Sequence, residues 1–220
     1  MVKRFLLFLC LMAYVFVASA QVGMSSVATP TGAYNSVKIN SNATTVVKDI
    51  YGTLRGININ TSGTSSVATV YDSKVIPPVQ AAATTSTTGG TLAAATYYYV
   101  ITTVSVTGES FRSNEMSVTT TGTTSSNTVN WAAVTGATGY KIYRGTAAGV
   151  ENVFYSVGAV TTFLDTGAAN TAGTPPTGNP IAVINSASAP GTFIYDIAFT
   201  NGLVIVTTGT TAADMTISYK

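Results

Sequence analysis

Apolar and polar positions alternate along much of this chain in short runs, and the period is two rather than 3.6. The clearest run is 192–199, where Phe193, Tyr195, Ile197 and Phe199 alternate with Ile194, Asp196 and Ala198. One face is wholly apolar, as a half-buried strand requires. Its burial is expected to contribute roughly 1.5–3 kcal/mol per side chain. Asn201-Gly202 follows and predicts a hairpin into a strand at 203–206. Further strands are predicted at 46–48, 51–59, 67–71 and 215–219. Within 51–59, Leu54, Ile57 and Ile59 break strict alternation around Gly56, which marks a bulge or a close backbone approach.

A second set of strand patterns fills residues 89–167. It comprises 96–106, 114–121, 129–134 with the lone Trp131, 139–145, 153–160 and 162–165. Gly108, Gly122, Gly136 and Gly149 fall between them as turns, a spacing that predicts a sandwich. Pro77-Pro78 followed by AAATTSTTGG, and Pro175-Pro176 within NTAGTPPTGN, read as two linkers. Taking out what lies between them joins VATVYDS to GNPIAVINS as strand, turn, strand. The pattern therefore predicts an all-β chain of two sandwich domains, one inserted in the other. A discontinuous outer domain of about seven strands occupies 37–76 plus 180–220, enough for a small jelly-roll-like sandwich. The linkers are 77–88 and 169–179, and the inserted domain is 89–168.

The N-terminus reads differently. Lys3 and Arg4 precede an apolar run at 5–17, and Ala18-Ser19-Ala20 offers a small-residue cleavage site. Residues 1–20 are therefore signal-peptide-like, and the run is short of the ~20 residues of a spanning helix. Left uncleaved, it would be the chain's one route to a membrane. The polar stretch 21–36 reads as an N-terminal arm, or as an extended strand for a neighbour's sheet.

Composition narrows the chemistry. Charged residues are 8% against 46% apolar, which argues for a packed chain rather than a disordered one. There is no His, and the one Cys, Cys10, lies in the signal-like segment. This removes Ser–His and Cys–His catalysis, His or Cys metal sites, and disulfides from any mature form. Removal of Lys3 and Arg4 takes the ten basic residues to eight, equal to the eight acidic ones. A near-neutral chain lacks the clustered basic charge that nucleic acid requires.

The carboxylates Asp49, Asp72, Glu109, Glu115, Glu151, Asp165, Asp196 and Asp214 never fall at i, i+2 or i, i+4. Any acid–base pair would have to come from the fold. No calcium-loop motif occurs, and Asp165-Thr166-Gly167 is the one place for a weak calcium contact. In Tyr97-Tyr98-Tyr99 the outer two are expected to face a core and Tyr98 to face out. Lys141 and Arg144 flank Tyr143 and are read as cation–π partners on a sheet surface. Tyr98, Tyr143 and Arg144 are thus the candidate contacts for a glycan or a protein partner. No catalytic, cofactor or metal site is expected.

Two resemblances add to this reading. LRGININTSGTSSVATVYDS, GNPIAVINS and APGTFIYDIAFTNGLVIVTTGTTAADMTISYK together resemble a short β domain of tailed-phage structural proteins, of the head-decoration kind. VNWAAVTGATGYKIYRG resembles the second and third strands of a fibronectin type III domain, an immunoglobulin-like fold. FLDTG resembles that family's fifth strand, and ATYYYVITTVSVTGESFRSNEMSVTT its last two. Here the last pair comes first, so the resemblance implies a circularly permuted module. The phage resemblance implies a virion structural protein, a capsid decoration or fibre-like subunit on the virion surface. Its insert would project toward host-surface glycans, and its partners would be further copies or capsid neighbours. The signal-like segment supports the alternative of a secreted, extracellular bacterial adhesin or filament subunit.

Overall fold

The computed structural model describes residues 34–185 and 189–220; the signal-like segment and arm residues 21–33 lie outside that range. The described residues are strands, turns and irregular segments, with no helix among them. Four strands come first: β1 (Asn35–Ile39), β2 (Thr44–Lys48), β3 (Gly52–Thr61) and β4 (Val67–Asp72). Nine follow in the central segment: β5 (Thr84–Ser86), β6 (Thr96–Ser105), β7 (Gly108–Glu109), β8 (Met116–Thr119), β9 (Ser126–Asn130), β10 (Ala137–Gly145), β11 (Glu151–Gly158), β12 (Thr162–Asp165) and β13 (Thr171–Ala172). The last four are β14 (Pro180–Asn185), β15 (Gly191–Phe199), β16 (Leu203–Thr208) and β17 (Asp214–Tyr219).

The first and last four strands build two four-stranded antiparallel sheets, ordered β1-β17-β3-β15 and β14-β4-β16-β2. One core joins them. Leu54, Ile57, Ile59, Met215, Ile217 and Phe199 come from the first sheet, and Val70, Ile184, Leu203 and Ile205 from the second. These side chains are at most 3% exposed. β4 and β14 pair from Val67↔Asn185 to Tyr71↔Pro180, so the two stretches flanking the central segment are neighbours in one sheet. The central strands build two further sheets. One is ordered β13-β11-β10-β6-β7, with β8 also on β6, and the other β12-β9-β5. Their core holds Tyr97, Tyr99, Ile101, Tyr140 and Ile142 from the larger sheet, with Val129 and Trp131 beside β12's Phe163.

Three sequence expectations change. Asn201-Gly202 makes a turn but no hairpin, since β15 and β16 lie in different sheets. The turn carries the chain across the core, and the Asp72 carboxylate accepts hydrogen bonds from the N–H groups of Thr200, Asn201 and Gly202 at 3.0, 2.7 and 3.3 Å. Burial alone would raise the Asp72 pKa, but these bonds and the Thr200 hydroxyl hold it below the usual carboxylate range. Its stabilising effect is therefore present above the ordinary Asp pKa and is lost as pH falls through the lowered one. Asp72→Ala is expected to cost about 1 kcal/mol at pH 7, with a smaller difference from the parent at pH 3, read from denaturation midpoints.

The second change is at the N-terminal boundary. Asn35 and Ser36, assigned to the arm, open β1 and pair with Tyr219 and Ser218 of the same chain. The third concerns the Ala/Thr-rich linker. Within it β5 pairs with β9 from Thr84↔Thr128 to Ser86↔Ser126. Just ahead, Ala81 N–H donates to Asn130 O at 2.9 Å, and Gln80 bridges Trp131. An exposed edge strand needs only backbone pairing, so its composition resembles that of a linker.

Gly56 is a close approach rather than the bulge itself. A Cβ there would lie 2.8 Å from the carbonyl oxygen of Phe193. The bulge sits opposite it, between Ile194 and Ile197 of β15, where Asp196 adopts φ 48° and pairs with Arg55. Gly56→Ala is expected to cost on the order of 1–3 kcal/mol. A lower denaturant midpoint at unchanged slope would show it.

Candidate functional site

The three candidate contact residues lie on β6 and β10, which pair antiparallel from Tyr98↔Gly145 to Ser105↔Ala137. Alternation turns Tyr97 and Tyr99 into the core at 7% and 0% exposure, while Tyr98 on the other face is half-buried. The outward expectation for Tyr98 thus matches its placement. Tyr143 is only 3% exposed, and its ring is packed against Phe154 on β11 with centroids 5.3 Å apart. Its hydroxyl donates to Glu109 Oε1 at 2.8 Å. The Tyr143 face is therefore buried rather than presented.

The cation–π pairing also differs from expectation. Lys141 sits over Phe154 at 4.9 Å, and Arg144 over Tyr97 and Tyr155 at 5.7 and 5.5 Å, with neither on Tyr143. Lys141 and Arg144 point to opposite faces of β10, three positions apart, and each meets a carboxylate. Glu109 accepts bonds from Lys141 Nζ, from the Thr102 hydroxyl at 2.6 Å and from Tyr143. Burial would raise the Glu109 pKa, but these donors hold it below the usual range.

The Arg144 end is the more buried. Asp165, at the end of β12, has no exposed surface, and Arg144 Nη1 donates to both of its oxygens at 2.8 and 2.9 Å. Tyr99 donates its hydroxyl to Asp165 Oδ2 at 2.8 Å, and Gly167 N–H donates to Oδ1 at 2.9 Å. Asn127 Nδ2 donates to the Tyr99 oxygen at 3.0 Å. Burial and the adjacent carboxylate push the Tyr99 hydroxyl pKa up, so it stays a donor. This network fastens the smaller sheet to the larger one at one end of the core. With its oxygens occupied by a guanidinium and N–H and O–H donors, Asp165 is not placed as a calcium ligand.

Spacing along the chain hid a further pair. Glu151 opens β11, and burial, with the nearby exposed Glu115 that precedes β8, raises its carboxyl pKa to about 7. The Glu151 side chain is fully buried, and no N–H or hydroxyl donor reaches either carboxyl oxygen. Arg112 Nη1 lies 3.9 Å away. The only sequence signal was an acidic residue next to a turn glycine, Gly149, whose N–H donates to Glu115 Oε2 at 2.6 Å.

A cleft of about 660 Å³ lies between β2, the first connecting segment and the turns at 105–107 and 132–136. Val46, Val75, Pro77, Val106, Ala132 and Val134 contribute apolar walls, and Lys74 is the one charged lining residue. No carboxylate lines it, so it offers apolar contact rather than acid–base chemistry. Compared with known proteins, the chain matches no family model, no curated protein and no solved structure.

Proposed function

We propose that this chain is a non-enzymatic structural protein of a virion surface, a capsid decoration or fibre-like subunit. The observation that carries the reading is the connectivity of the outer eight strands. With β1-β17-β3-β15 packed on β2-β16-β4-β14, each strand in turn crosses the core, except where the central segment intervenes between β4 and β14. That order is jelly-roll connectivity, an architecture used by viral capsid and lectin domains. Fold alone does not carry function; here it supports the phage resemblance of the strands concerned.

In the same reading, the central segment is an inserted fibronectin type III-like module in permuted order. The neighbours β10-β6-β8 correspond to that fold's C-F-G strands, and β5-β9-β12 to its A-B-E strands. The insert projects from the shell, and the half-buried Tyr98 with its surroundings is its candidate contact with glycans or neighbouring copies.

A second reading, a secreted adhesin or extracellular filament subunit, is favoured by Lys3-Arg4, the apolar 5–17 run and Ala18-Ser19-Ala20. Mass spectrometry of purified particles from the source culture separates the two. Recovery in fixed proportion to capsid protein supports the virion role. Recovery only from a particle-free secreted or cell-surface fraction, starting at Gln21, overturns it in favour of the second.

A further inference from the structure

The cleft beside β2 takes its walls from both sandwiches. Val47 packs on the outer core, so strand alternation turns Val46 outward, and Val46 lines the cleft. The other walls are the connecting segment 75–79 and the turns that carry Val106 and Val134. Pro77 and Pro78 have no N–H to present, which keeps their wall apolar. Hydrogen bonds hold the walls in place. Ala132 N–H donates to Val79 O at 3.0 Å, and Val134 N–H donates to the Tyr140 hydroxyl at 2.9 Å. Next to Val75, the two sandwiches meet where Phe111 stacks on Tyr71 of β4, with centroids 4.1 Å apart.

Val46, Val79 and Val106 nevertheless keep 42%, 65% and 90% of their surface exposed. Three of the ten exposed large apolar side chains among the described residues thus gather at one concave place, the pattern of a binding groove rather than of scattered surface residues. The volume of about 660 Å³ falls in the range of small-molecule sites.

Two polar features bear on what the occupant carries. Lys74 is the one charged lining residue, and no carboxylate pairs with it among the described residues. The carboxylates that share a neighbouring pocket with Lys74 are already engaged, Asp72 by the turn at 200–202 and Glu109 by Lys141. Thr103 also lines the cleft; it is fully buried, and its hydroxyl has no hydrogen-bond partner among the described residues. An ammonium and an unmatched hydroxyl can both donate to an anion, while the valine and proline walls match a hydrocarbon.

We propose that this cleft binds a free medium- or long-chain carboxylate, with its acyl chain against Val46, Val79, Val106 and Val134 and its carboxylate toward Lys74. Chain length supplies most of the affinity, because each buried CH₂ group removes apolar surface from water. The charge selects an anionic head over a cationic one. The inference is independent of whether the protein sits on a virion or a cell.

The test is titration of the full chain with octanoate and decanoate, below the concentrations at which they form micelles, read by amide chemical shifts and calorimetry. Saturable shifts should fall on Val46, Val75, Val79, Val106 and Val134. Decanoate should bind roughly tenfold tighter than octanoate, from two more buried CH₂ groups. Decylammonium, with the same chain length and the opposite charge, should bind about threefold weaker than decanoate or less tightly still. Lys74→Met keeps the apolar stem at an exposed position and should remove that preference. Ala133→Trp, at an exposed lining position, fills the cleft and should abolish saturable binding. Absence of saturable shifts, shifts outside these walls, equal affinity for decanoate and decylammonium, an anion preference that survives Lys74→Met, or unchanged binding in Ala133→Trp would each overturn the proposal. So would the same shifts on concentrating the protein alone, which would make a second copy the occupant, or shifts produced by an acidic valine-rich peptide but not by decanoate. Should either variant not fold, the three ligands on the parent protein decide.

Discussion

Asp165→Ala is expected to destabilise the central sandwich by about 3–5 kcal/mol, because it strands a buried cation. Arg144 keeps only 14% of its side-chain surface exposed, and Asp165 is its salt-bridge partner. Tyr99, wholly buried, loses the acceptor of its hydroxyl as well. Replacing both charges should be far less harmful than replacing one. A double variant, Asp165→Asn with Arg144→Met, is expected to recover at least half of the loss, since two uncharged groups need no mutual compensation. Chemical denaturation of Asp165→Ala and of the double variant, each against the parent, measures this. A cost under about 1 kcal/mol for Asp165→Ala would mean that the network contributes little beyond packing.

Trp131→Ala should cost a similar amount, about 3–5 kcal/mol, by opening a cavity in the same core. Trp131 is 5% exposed and meets Tyr140 edge-on at 5.3 Å. The loss should be local. The outer core, built on Leu54, Ile57, Val70, Ile205 and Met215, shares no residue with the core around Trp131. Thermal unfolding of the variant is therefore expected to split into two transitions, the earlier one belonging to the central sandwich. Exchange of amides in β3 and β17 should be unchanged below the second transition. One cooperative loss of both cores would show that the docked junction couples them into a single folding unit.

The alternation that places Phe193 and Phe199 toward a core, and the tyrosine pattern that buries Tyr97 and Tyr99 around Tyr98, were legible in the chain because strand side chains have a period of two. So were the flanking stretches at 67–71 and 180–185, which meet as β4 and β14. What misled was local chemistry that has more than one use. Asn201-Gly202 specifies a tight turn, and a tight turn serves a crossing between sheets as well as a hairpin. The Ala/Thr run at 81–88 carries no apolar period, so its role as the edge strand β5 depends wholly on β9 being beside it.

The candidate site divides the same way. Alternation correctly set Tyr98 outside the core, but it said nothing of Glu109 and Phe154 closing over Tyr143. Likewise Arg144 and Asp165, or Glu115 and Glu151, are separated by whole strands, and no spacing rule brings them together. The sequence by itself determined the strand class, most strand positions and the absence of histidine and cysteine chemistry after residue 20, because these depend on residue type and local period. Only the tertiary structure decided which sheet each strand joins, which aromatic faces are covered and which charges are paired or stranded. Those outcomes depend on contacts between distant segments, whose energies are set by desolvation and geometry rather than by neighbours in the chain.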